Sequence, residues 1–389
     1  MLAVIETHPV QYHAPVYRFL QAHCGIPVTA IYGSDFSVAG YTDHDFKQTF
    51  AWKTDLLSGY SSEFLSRTNG RSVTNLEMVP TTGLSAALRS VKPNAVMVVG
   101  YSPRFHRSAW YHAWRIRRPI LFRGETTDVA KDRPTPKAAL RDLALRMAYA
   151  RCRALLYIGK HSRAHFVDHG VPESRLFFSP YCVDESTFEA DEVARGRLRK
   201  PTRAELGIGG HQVVVLFVGK FTRLKGLDLI PPAFEGLPDH LRSRIVLVCV
   251  GAGELRQELD RRCAAAGIAT RFVGFRNQGE LSRYYHAADV MLLPSRSETW
   301  GLVVNEALLH GLPCVVSHRV GSAADLVEPE RTGAIFVSES PGALREALIR
   351  TLPLAQQSYV RMACRRSVAH YDVAAAARGI ADAYRVVEA

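Results

Sequence analysis

The chain has 389 residues, 47% of them hydrophobic and 22% charged, so we expect two domains of about 150 to 200 residues each. No stretch approaches the roughly 20 uninterrupted apolar residues of a membrane span, and the N-terminus lacks a signal-peptide pattern, so a cytoplasmic protein is expected. The formal net charge of +12 favours an anionic partner: a nucleotide, a phosphorylated substrate or an anionic membrane.

Short apolar runs rich in Val, Ile and Leu alternate with helical stretches in the first half of the chain. They predict strands at residues 2–6, 28–32, 95–100, 119–124 and 154–159. Uniformly apolar strands that alternate with helices indicate a parallel sheet covered on both faces. The first helix is expected to begin at Ala14 or Pro15, because proline suits the first turn.

An arginine-rich segment follows the third of these strands. It interleaves three aromatic residues with six arginines: Trp110, Tyr111 and Trp114 among Arg104, Arg107, Arg115, Arg117, Arg118 and Arg123. Two interpretations stay open, an ordinary solvated helix face and a surface that rests on anionic lipid. Nucleic acid is not expected as a partner, because no recognition motif accompanies the charge.

A second series of apolar strands is predicted at residues 213–219, 245–251, 271–275, 290–295, 314–317 and 333–337. The polar stretch 181–212 between the two series is interpreted as the linker and the opening of a second domain. Ligands of open α/β sheets bind at the carboxyl ends of the strands, so two facing domains are expected to enclose a cleft. The seven cysteines have no zinc-ligand spacing and are expected to be reduced.

The stretch "MLLPSRSETWGLVVNEALLHGLPCVVS" (291–317) carries the clearest chemistry. It predicts a helix from near Gly301 to just before Gly311, and free N–H groups at its start would bind an anion: those of Thr299, Trp300, Gly301 and Leu302. If that anion is a diphosphate, Glu298 and Glu306 could accept the hydroxyls of a donor sugar and a ribose. The alternative is a capping carboxylate and a buried salt bridge.

The stretch "FVGKFTRLKGLDLI" (217–230) supports the diphosphate interpretation. Gly219 ends a predicted strand, and Lys220 and Lys225 follow in a loop. Two lysines at a strand's carboxyl end can neutralise a diphosphate and stabilise the charge that gathers on it as a glycosidic bond breaks. Alone they would be solvated surface residues.

Together these motifs resemble the retaining glycosyltransferases of family 4, glycosyl transferases group 1 with the GT-B fold. "GKFTRLKG" is similar to the family's G-R-x-x-x-x-K-G element and "ETWGLVVNE" to its E-x7-E element. "GVPESRLFFSPYCVDESTF" resembles the family's link into its second domain. The resemblance implies an α/β fold of two Rossmann-like, doubly wound domains that face a cleft. It assigns residues 1–187 to acceptor binding, 188–368 to the nucleotide sugar, and 369–389 to a helix that crosses back to the first domain.

The resemblance also implies roles for individual residues. Lys220, which replaces the usual arginine, and Lys225 would bind the diphosphate; both follow Gly219, which would also lie in the donor site. Glu298 would bind the donor sugar, and Glu306 would bind the ribose. The base pocket would be lined mainly by backbone of Gly274, Phe275 and Arg276. No cofactor and no metal is expected, and attack would come from the face that the leaving group departs from.

The N-terminal half departs from the family pattern. Where the family has a glycine pair after strand one, this chain has His8 and Pro9, so that His8, Gln11 and His13 are available to contact acceptor or phosphate. His106 is the histidine nearest to the position of a family histidine. The usual His-Asp pair is replaced by Arg123, Gly124 and Glu125; these two charged residues either contact a substrate or pair with each other. Metal binding by His8 and His13 is not expected, because no further ligand is suitably spaced.

The expected function is therefore a retaining, metal-independent glycosyltransferase of the hexosyltransferase type, active in polysaccharide biosynthesis. It would move a sugar from a UDP- or GDP-sugar to a hydroxyl of a saccharide or lipid-linked acceptor in the cytoplasm, with peripheral contact to the inner face of the membrane left open. Two alternatives remain at this point. One is another GT-B reaction such as sugar-nucleotide epimerisation, and the other is a non-catalytic nucleotide-sugar binder or membrane-surface scaffold.

Overall fold

A computed structural model of the chain describes residues 1–39, 41–43, 48–50, 55–68, 76–126 and 135–388. These residues form two compact units. The first contains the described residues up to Cys182 together with those from Tyr371 onward, and the second comprises Val183–His370. The domain limits drawn from the sequence, after residues 187 and 368, lie a few residues from these boundaries.

The first unit is built on a parallel sheet. Its strands are β1 (Leu2–Glu6), β2 (Val28–Tyr32), β3 (Tyr41–Asp43), β4 (Gln48–Phe50), β5 (Ser61–Phe64), β6 (Ala95–Val99), β7 (Ile120–Gly124), β8 (Ala154–Tyr157) and β9 (Leu176–Phe178). Seven of them pair in the order β5-β2-β1-β6-β7-β8-β9, all parallel, while β3 and β4 form a separate antiparallel pair. Strands β1, β2, β6 and β7 are buried along their whole length, as their uniformly apolar sequences predict.

Helices cover both faces of this sheet. They are α1 (Ala14–Cys24), α2 (Phe36–Ala39), α3 (Leu84–Val91), α4 (Arg104–Arg115), α5 (Thr135–Ala150) and α6 (Lys160–Asp168). Helix α1 begins at Ala14 with Pro15 in its first turn, and Gly25 ends it in the left-handed region at φ 68°. Helix α1 packs in one apolar cluster, and α3, α4 and α6 contribute to a second.

Strand β5 lies between the strands predicted at residues 28–32 and 95–100, where the apolar runs predict none. This strand lies at the edge of the sheet and pairs with β2, Thr29 opposite Ser61 and Tyr32 opposite Phe64. Its residues alternate between exposed and half-buried. A search for uniformly apolar runs misses such a strand, because an edge strand needs no continuous apolar run.

The second unit repeats the architecture. Its strands are β10 (Val213–Val218), β11 (Ile245–Val250), β12 (Ala269–Gly274), β13 (Val290–Leu293), β14 (Cys314–Ser317) and β15 (Gly333–Phe336), paired in parallel in the order β12-β11-β10-β13-β14-β15. Its helices are α7 (Glu192–Glu205), α8 (Ile230–Glu235), α9 (Asp239–Arg242), α10 (Arg256–Ala265), α11 (Ser282–Ala287), α12 (Leu302–Leu309), α13 (Ala323–Leu326), α14 (Pro341–Thr351) and α15 (Ser358–Val368). The predicted pair of parallel α/β sheets is confirmed.

The stretch interpreted as a linker is largely helical. Helix α7 fills its centre and is capped by Asp191, whose side chain accepts a hydrogen bond from the Ala194 N–H at 2.7 Å. Arg199 and Arg203 of α7 pair with Asp289 at 2.6 and 3.2 Å, and so attach the helix to the second unit. The stretch from Val183 onward belongs to the second unit, in agreement with the opening of a second domain, and the polar composition of α7 reflects a solvated helix face.

The last helix, α16 (Val373–Glu388), belongs to the first unit. It packs against α1, β8 and β9, and contributes six buried side chains to the cluster around α1: Ala376, Ala377, Ile380, Ala381, Ala383 and Tyr384. The terminal amino group of Met1 donates to the Tyr384 hydroxyl at 2.6 Å. A Cβ on Gly379 would lie 1.8 Å from the carbonyl oxygen of Phe178, so glycine there permits close approach of α16 to β9.

Candidate functional site

The loop after β10 carries the two predicted diphosphate lysines. Gly219 has φ 151°, and its N–H bonds to the Val250 carbonyl at 3.0 Å, which sets where the loop leaves the sheet. Lys220 follows and is half-buried. Gly226 has φ 70°, and a Cβ there would lie 2.0 Å from the Pro294 carbonyl oxygen. Only glycine fits, and it allows the Lys225 loop to pass directly over the end of β13.

This approach brings Lys225 to Glu298, 73 positions later in the chain. Their side chains form an ion pair and are 24% and 17% exposed. The backbone of Glu298 is held by the loop after β14, with its N–H on the Arg319 carbonyl at 3.3 Å and its carbonyl accepting from the Gly321 N–H at 3.0 Å. The ion pair therefore stands on two loops that the sheet order places side by side, those after β10 and β13.

Arg296, in the loop after β13, forms hydrogen bonds with residues of the loop after β10. Its guanidinium donates two hydrogen bonds to the carboxylate of Asp228, at 2.6 and 2.8 Å, and its backbone N–H donates to the Leu224 carbonyl at 2.8 Å. A bidentate arginine pair is geometrically specific. Sequence reasoning missed both residues, because nothing in their spacing shows that they meet.

Helix α12 begins beside this ion pair. Gly301 precedes it at φ 90°, and the Val304 N–H bonds to the Gly301 carbonyl at 2.8 Å. The amides before Val304 are those that an α-helix leaves without an intrahelical acceptor, and they suit an anion. Trp300 is buried, with its indole N–H on Asn305 at 2.9 Å, while Thr299 is exposed. Leu302 is the first helical residue and Gly301 the N-cap, so Thr299 and Trp300 lie in the loop just before the helix.

Glu306 lies inside α12 and is only 1% exposed. One carboxylate oxygen accepts a hydrogen bond from the Tyr285 hydroxyl at 2.6 Å. Its backbone carbonyl accepts from His310 Nδ1 at 2.6 Å, and His310 Nε2 then accepts from the Ser282 hydroxyl at 3.0 Å. Burial lowers the pKa of His310 to about 3, so the ring is neutral at neutral pH. Tyr285 thus provides the compensation that a carboxylate in so apolar a helix requires.

The predicted base pocket lies at the end of β12. Gly274 has φ 82°, and Phe275 and Arg276 follow it. The Arg276 guanidinium is half-buried and donates to the Tyr284 hydroxyl at 3.2 Å and to the Phe275 carbonyl at 3.0 Å. These contacts hold the Arg276 side chain against its own loop.

In the first unit, the loop after β1 holds a buried carboxylate–imidazole pair. His13 Nδ1 donates to Glu6 Oε1 at 2.5 Å, and the Tyr17 hydroxyl donates to the same oxygen at 2.9 Å. The His13 ring stacks on Tyr181 with ring centroids 5.8 Å apart. Sequence analysis identified His13 but missed Glu6, which stands as the last residue of an apolar strand and shows no motif.

The neighbouring candidates take up different positions. His8 is half-buried, with Nδ1 2.9 Å from Thr7 Oγ1 and its ring against Phe36, and Gln11 is buried. Arg123 is buried too: it donates to the carbonyls of Ser179 and Pro180, at 3.4 and 3.1 Å, and its guanidinium lies over the Tyr181 ring. Among the described residues Arg123 forms no direct ion pair with Glu125, yet the charges of His13 and Arg123 oppose the burial that raises the pKa of the Glu125 carboxyl. Substrate contact and mutual pairing both stay predictions for these two residues.

Comparison with known proteins identifies the second unit. Residues 199–363, most of that unit, match the family model described as glycosyl transferases group 1. The second unit belongs to this family. The match confirms the predicted family, and it includes every donor-side residue considered above, from Gly219 to Glu306.

Individual curated relatives match only part of the chain. A D-inositol 3-phosphate glycosyltransferase of Geodermatophilus obscurus is 31% identical over 234 residues, 56% of this chain and 50% of the relative. The chain spans 38% and 43% of the length of two further curated relatives. In these three relatives the similarity covers between 38% and 50% of the relative's length.

Solved structures match over nearly the whole chain. A crystal structure of Anabaena Alr3699/HepE in complex with UDP and glucose has a TM-score of 0.68 at 16% identity, and covers 98% of both chains. Sucrose-phosphate synthase from Thermosynechococcus elongatus has a TM-score of 0.71 at 19% identity, covering 99% of this chain and 98% of its own. At this identity the likeness shows the fold alone. The predicted GT-B fold of two Rossmann-like domains is confirmed.

Proposed function

We propose that the chain is a retaining, metal-independent hexosyltransferase that moves a sugar from a nucleoside-diphosphate sugar to a hydroxyl of a saccharide or lipid-linked acceptor. The observation that carries the proposal is the meeting of Lys225 and Glu298 beside the start of α12. A cation, a hydroxyl-binding carboxylate and helical N–H groups are the three kinds of group that a nucleotide sugar requires.

In this proposal Lys220 and Lys225 bind the diphosphate, and the N–H groups at the start of α12 share its charge. As the glycosidic bond breaks, negative charge grows on the leaving phosphate, and fixed cations stabilise it in the transition state more than in the ground state. Glu298 accepts hydroxyls of the donor sugar. Glu306, already bonded to Tyr285, accepts a ribose hydroxyl. The leaving phosphate takes the proton of the acceptor hydroxyl, so no carboxylate nucleophile is needed for retention.

The names of the relatives support a nucleotide-sugar donor and favour UDP. HepE has been solved with UDP and with UDP-glucose. The G. obscurus relative is named D-inositol 3-phosphate glycosyltransferase. Epimerisation of a sugar nucleotide and binding without catalysis are the competing functions.

A screen of nucleotide sugars by thermal shift tests the donor. We expect one or more UDP- or GDP-sugars to raise the melting temperature, because a ligand at 100 times its Kd stabilises the folded state by about 2.7 kcal/mol. The free sugars serve as the control and should cause no shift. Nucleotide release that depends on an added acceptor supports transfer, whereas a changed sugar without an acceptor indicates an epimerase. Binding without release against any acceptor indicates a non-catalytic protein, and no shift by any nucleotide sugar contradicts the proposal.

We also propose that the outer surface of α4 and α5 contacts an anionic membrane. Helix α4 buries Phe105, Ala109 and Ala113, so Tyr111 and Trp114 face outward. Five exposed apolar side chains lie on the two helices: Tyr111, Trp114, Leu140, Leu143 and Met147. Exposed arginines accompany them: Arg104, Arg107, Arg115, Arg117, Arg118 and Arg146. Trp110 does not belong to this surface, because it packs against Phe122.

The combination of exposed aromatic and cationic side chains suits a lipid surface. Among the helices of the described residues, none has the length and apolarity needed to cross a bilayer. Contact would therefore be peripheral, on the inner face of the membrane where the cytoplasmic protein would meet it. This surface gives structural support to one of the two interpretations that the arginine-rich sequence left open.

Sedimentation with lipid vesicles tests this contact. We expect binding to vesicles that contain about one-third phosphatidylglycerol and much weaker binding to pure phosphatidylcholine, because each arginine near an anionic surface contributes about 1 kcal/mol. Trp114→Ala combined with Tyr111→Ala should weaken binding about tenfold or more. Tyr359→Ala is the matched control, since Tyr359 is 57% exposed and Trp114 61%. Equal binding to both vesicle types, or none, contradicts the proposal.

A further inference from the structure

The carboxyl end of the first sheet holds a dense polar cluster that the donor chemistry does not use. Strand β1 connects to β2 on one side, while its neighbour on the other side is β6, so the connections change direction between β1 and β6. Ligands of open α/β sheets bind at such a switch point. Glu6 ends β1 and His106 lies in α4, which follows β6. The fold therefore places these side chains where a ligand of the first unit is expected.

Several polar atoms of this cluster are buried without a hydrogen-bond partner among the described residues. They are Glu6 Oε2, Gln11 Oε1, His13 Nε2, Arg123 Nε and both ring nitrogens of His106. A buried polar atom without a partner costs about 1–3 kcal/mol, and folded proteins contain few of them. Their concentration in one place indicates a site built for a ligand that supplies the missing partners.

The chemistry of three of these atoms selects the ligand. Glu6 Oε2 and Gln11 Oε1 can only accept hydrogen bonds, so both require a ligand that donates. His13 Nε2 accepts when the ring is neutral and donates when it is protonated, and a hydroxyl group can pair with it in either state. Hydroxyl groups donate, whereas the oxygens of an ionised phosphate only accept.

The charges of the cluster also favour an uncharged ligand over a phosphate. Burial raises the pKa of Glu6, but the nearby His13 and the hydrogen bonds from His13 and Tyr17 outweigh it, so the pKa is lowered overall and the carboxylate is ionised. Burial lowers the pKa of both His8 and His106 to about 4, which leaves these rings neutral. The buried cation Arg123 is thus opposed by the carboxylate of Glu6. A phosphate placed here would meet a buried carboxylate that it repels.

We propose that Glu6 and His13, together with Gln11, bind the hydroxyls of an uncharged polyhydroxyl acceptor. This inference rests on the proposed transfer function and specifies its acceptor class. Glu6 Oε2 and Gln11 Oε1 accept hydrogen bonds from hydroxyls of the acceptor, and His13 Nε2 pairs with a further hydroxyl. The Glu6–His13 hydrogen bond orients the imidazole ring and presents Nε2 to the ligand. Tyr17 and Tyr181 hold the pair in place, by a hydrogen bond to Glu6 and by stacking on His13.

Paired acceptors test the chemical class. Methyl α-glucoside, methyl α-mannoside and myo-inositol are compared with glucose 6-phosphate, mannose 6-phosphate and inositol 3-phosphate, with the donor found in the thermal-shift screen. We expect kcat/KM for the uncharged compounds to exceed that for their phosphorylated counterparts by about tenfold or more. A preference for the phosphorylated compounds, or no transfer to any uncharged one, overturns the inference.

Variants test the residues. Glu6→Gln and His13→Phe should raise the acceptor KM by about 10- to 100-fold, since hydrogen bonds to charged groups contribute about 1.5–3 kcal/mol. The donor thermal shift and the slow hydrolysis of donor without acceptor should remain as in the wild type. Tyr149→Phe is the matched control: it removes a buried hydroxyl–imidazole hydrogen bond of the same unit, at 3.1 Å to His165 Nε2, that is not part of this cluster, and it should leave the acceptor KM unchanged. An unchanged acceptor KM in both Glu6→Gln and His13→Phe contradicts the proposal.

Two readouts separate this inference from the proposed function. If no nucleotide sugar shifts the melting temperature of the wild type, the proposed function fails. If a donor binds and is transferred but the variants leave the acceptor KM unchanged, only the inference fails. Should Glu6→Gln or His13→Phe not fold, Gln11→Met decides the matter: it removes a buried acceptor that has no protein partner, so the fold should tolerate it while the acceptor KM rises about threefold to tenfold.

Discussion

Lys225→Ala and Glu298→Gln are each expected to lower kcat/KM for sugar transfer by about 10³-fold. A fixed cation on the leaving diphosphate stabilises charge that develops in the transition state, and removal of one such group costs about 10²–10³ in rate in other enzymes. Each substitution also leaves its half-buried partner unpaired, so the second residue no longer keeps its position. Initial rates of nucleotide release with saturating donor and acceptor measure the effect.

The pair Arg199–Asp289 supplies a matched control for this experiment. Its side chains are also 24% and 17% exposed, but it joins α7 to the amino end of β13, opposite to the end that Glu298 follows. Arg199→Ala is therefore expected to reduce stability and to leave kcat unchanged at a temperature where the variant is folded. Wild-type rates in both Lys225→Ala and Glu298→Gln would show that the catalytic assignment is wrong.

Gly379→Ala is expected to lower the free energy of unfolding of the first unit by about 2–3 kcal/mol. The new Cβ would lie 1.8 Å from the Phe178 carbonyl oxygen, so α16 must move away from β9 and weaken its apolar contacts. The hydrogen bond from the Ser179 hydroxyl to the Ala376 carbonyl, now 2.9 Å, would also lengthen. Urea unfolding followed by circular dichroism and tryptophan fluorescence measures the change.

Gly196→Ala separates this clash from the general effect of removing a helical glycine. Gly196 lies in α7, is exposed, and has no atom within 4 Å of the position that a Cβ would take. Alanine there should stabilise the second unit by about 0.5–1 kcal/mol, because glycine is the poorer helix former. An unfolding midpoint of Gly379→Ala equal to that of the wild type would contradict the proposed packing of α16.

In the second unit, the sequence predicted local features of the donor site, whereas contacts between distant residues appeared only in the structure. The sequence predicted that Gly219, Lys225 and Glu298 lie in loops and that a helix begins near Gly301. Buried strands and helix ends can be predicted from apolar runs and glycines that are close together in the chain. The sequence identified no partner for Glu306 and no contact between Lys225 and Glu298. Those contacts depend on the sheet order and on the backbone approach at Gly226, which involve residues far apart in the chain.

In the first unit the sequence predicted less of the site. His8, Gln11 and His13 were identified by their place after β1, but Glu6 was hidden in the apolar strand that precedes them. Strand β5 and helix α7 were missed for a related reason: an edge strand and a solvated helix lack the continuous apolar pattern that marks a buried strand.

By itself the sequence predicted the two-sheet α/β fold, the resemblance of the second unit to group 1 glycosyltransferases and the loops that carry the donor residues. These features follow from periodicity, capping and short motifs, which are local properties of the chain. The tertiary structure alone decided that Lys225 pairs with Glu298, that Arg123 donates to the carbonyls after β9, and that Glu6 orients His13. The partners of a side chain depend on the order of strands and on close packing between distant segments, and neither can be predicted from the spacing of residues along the chain.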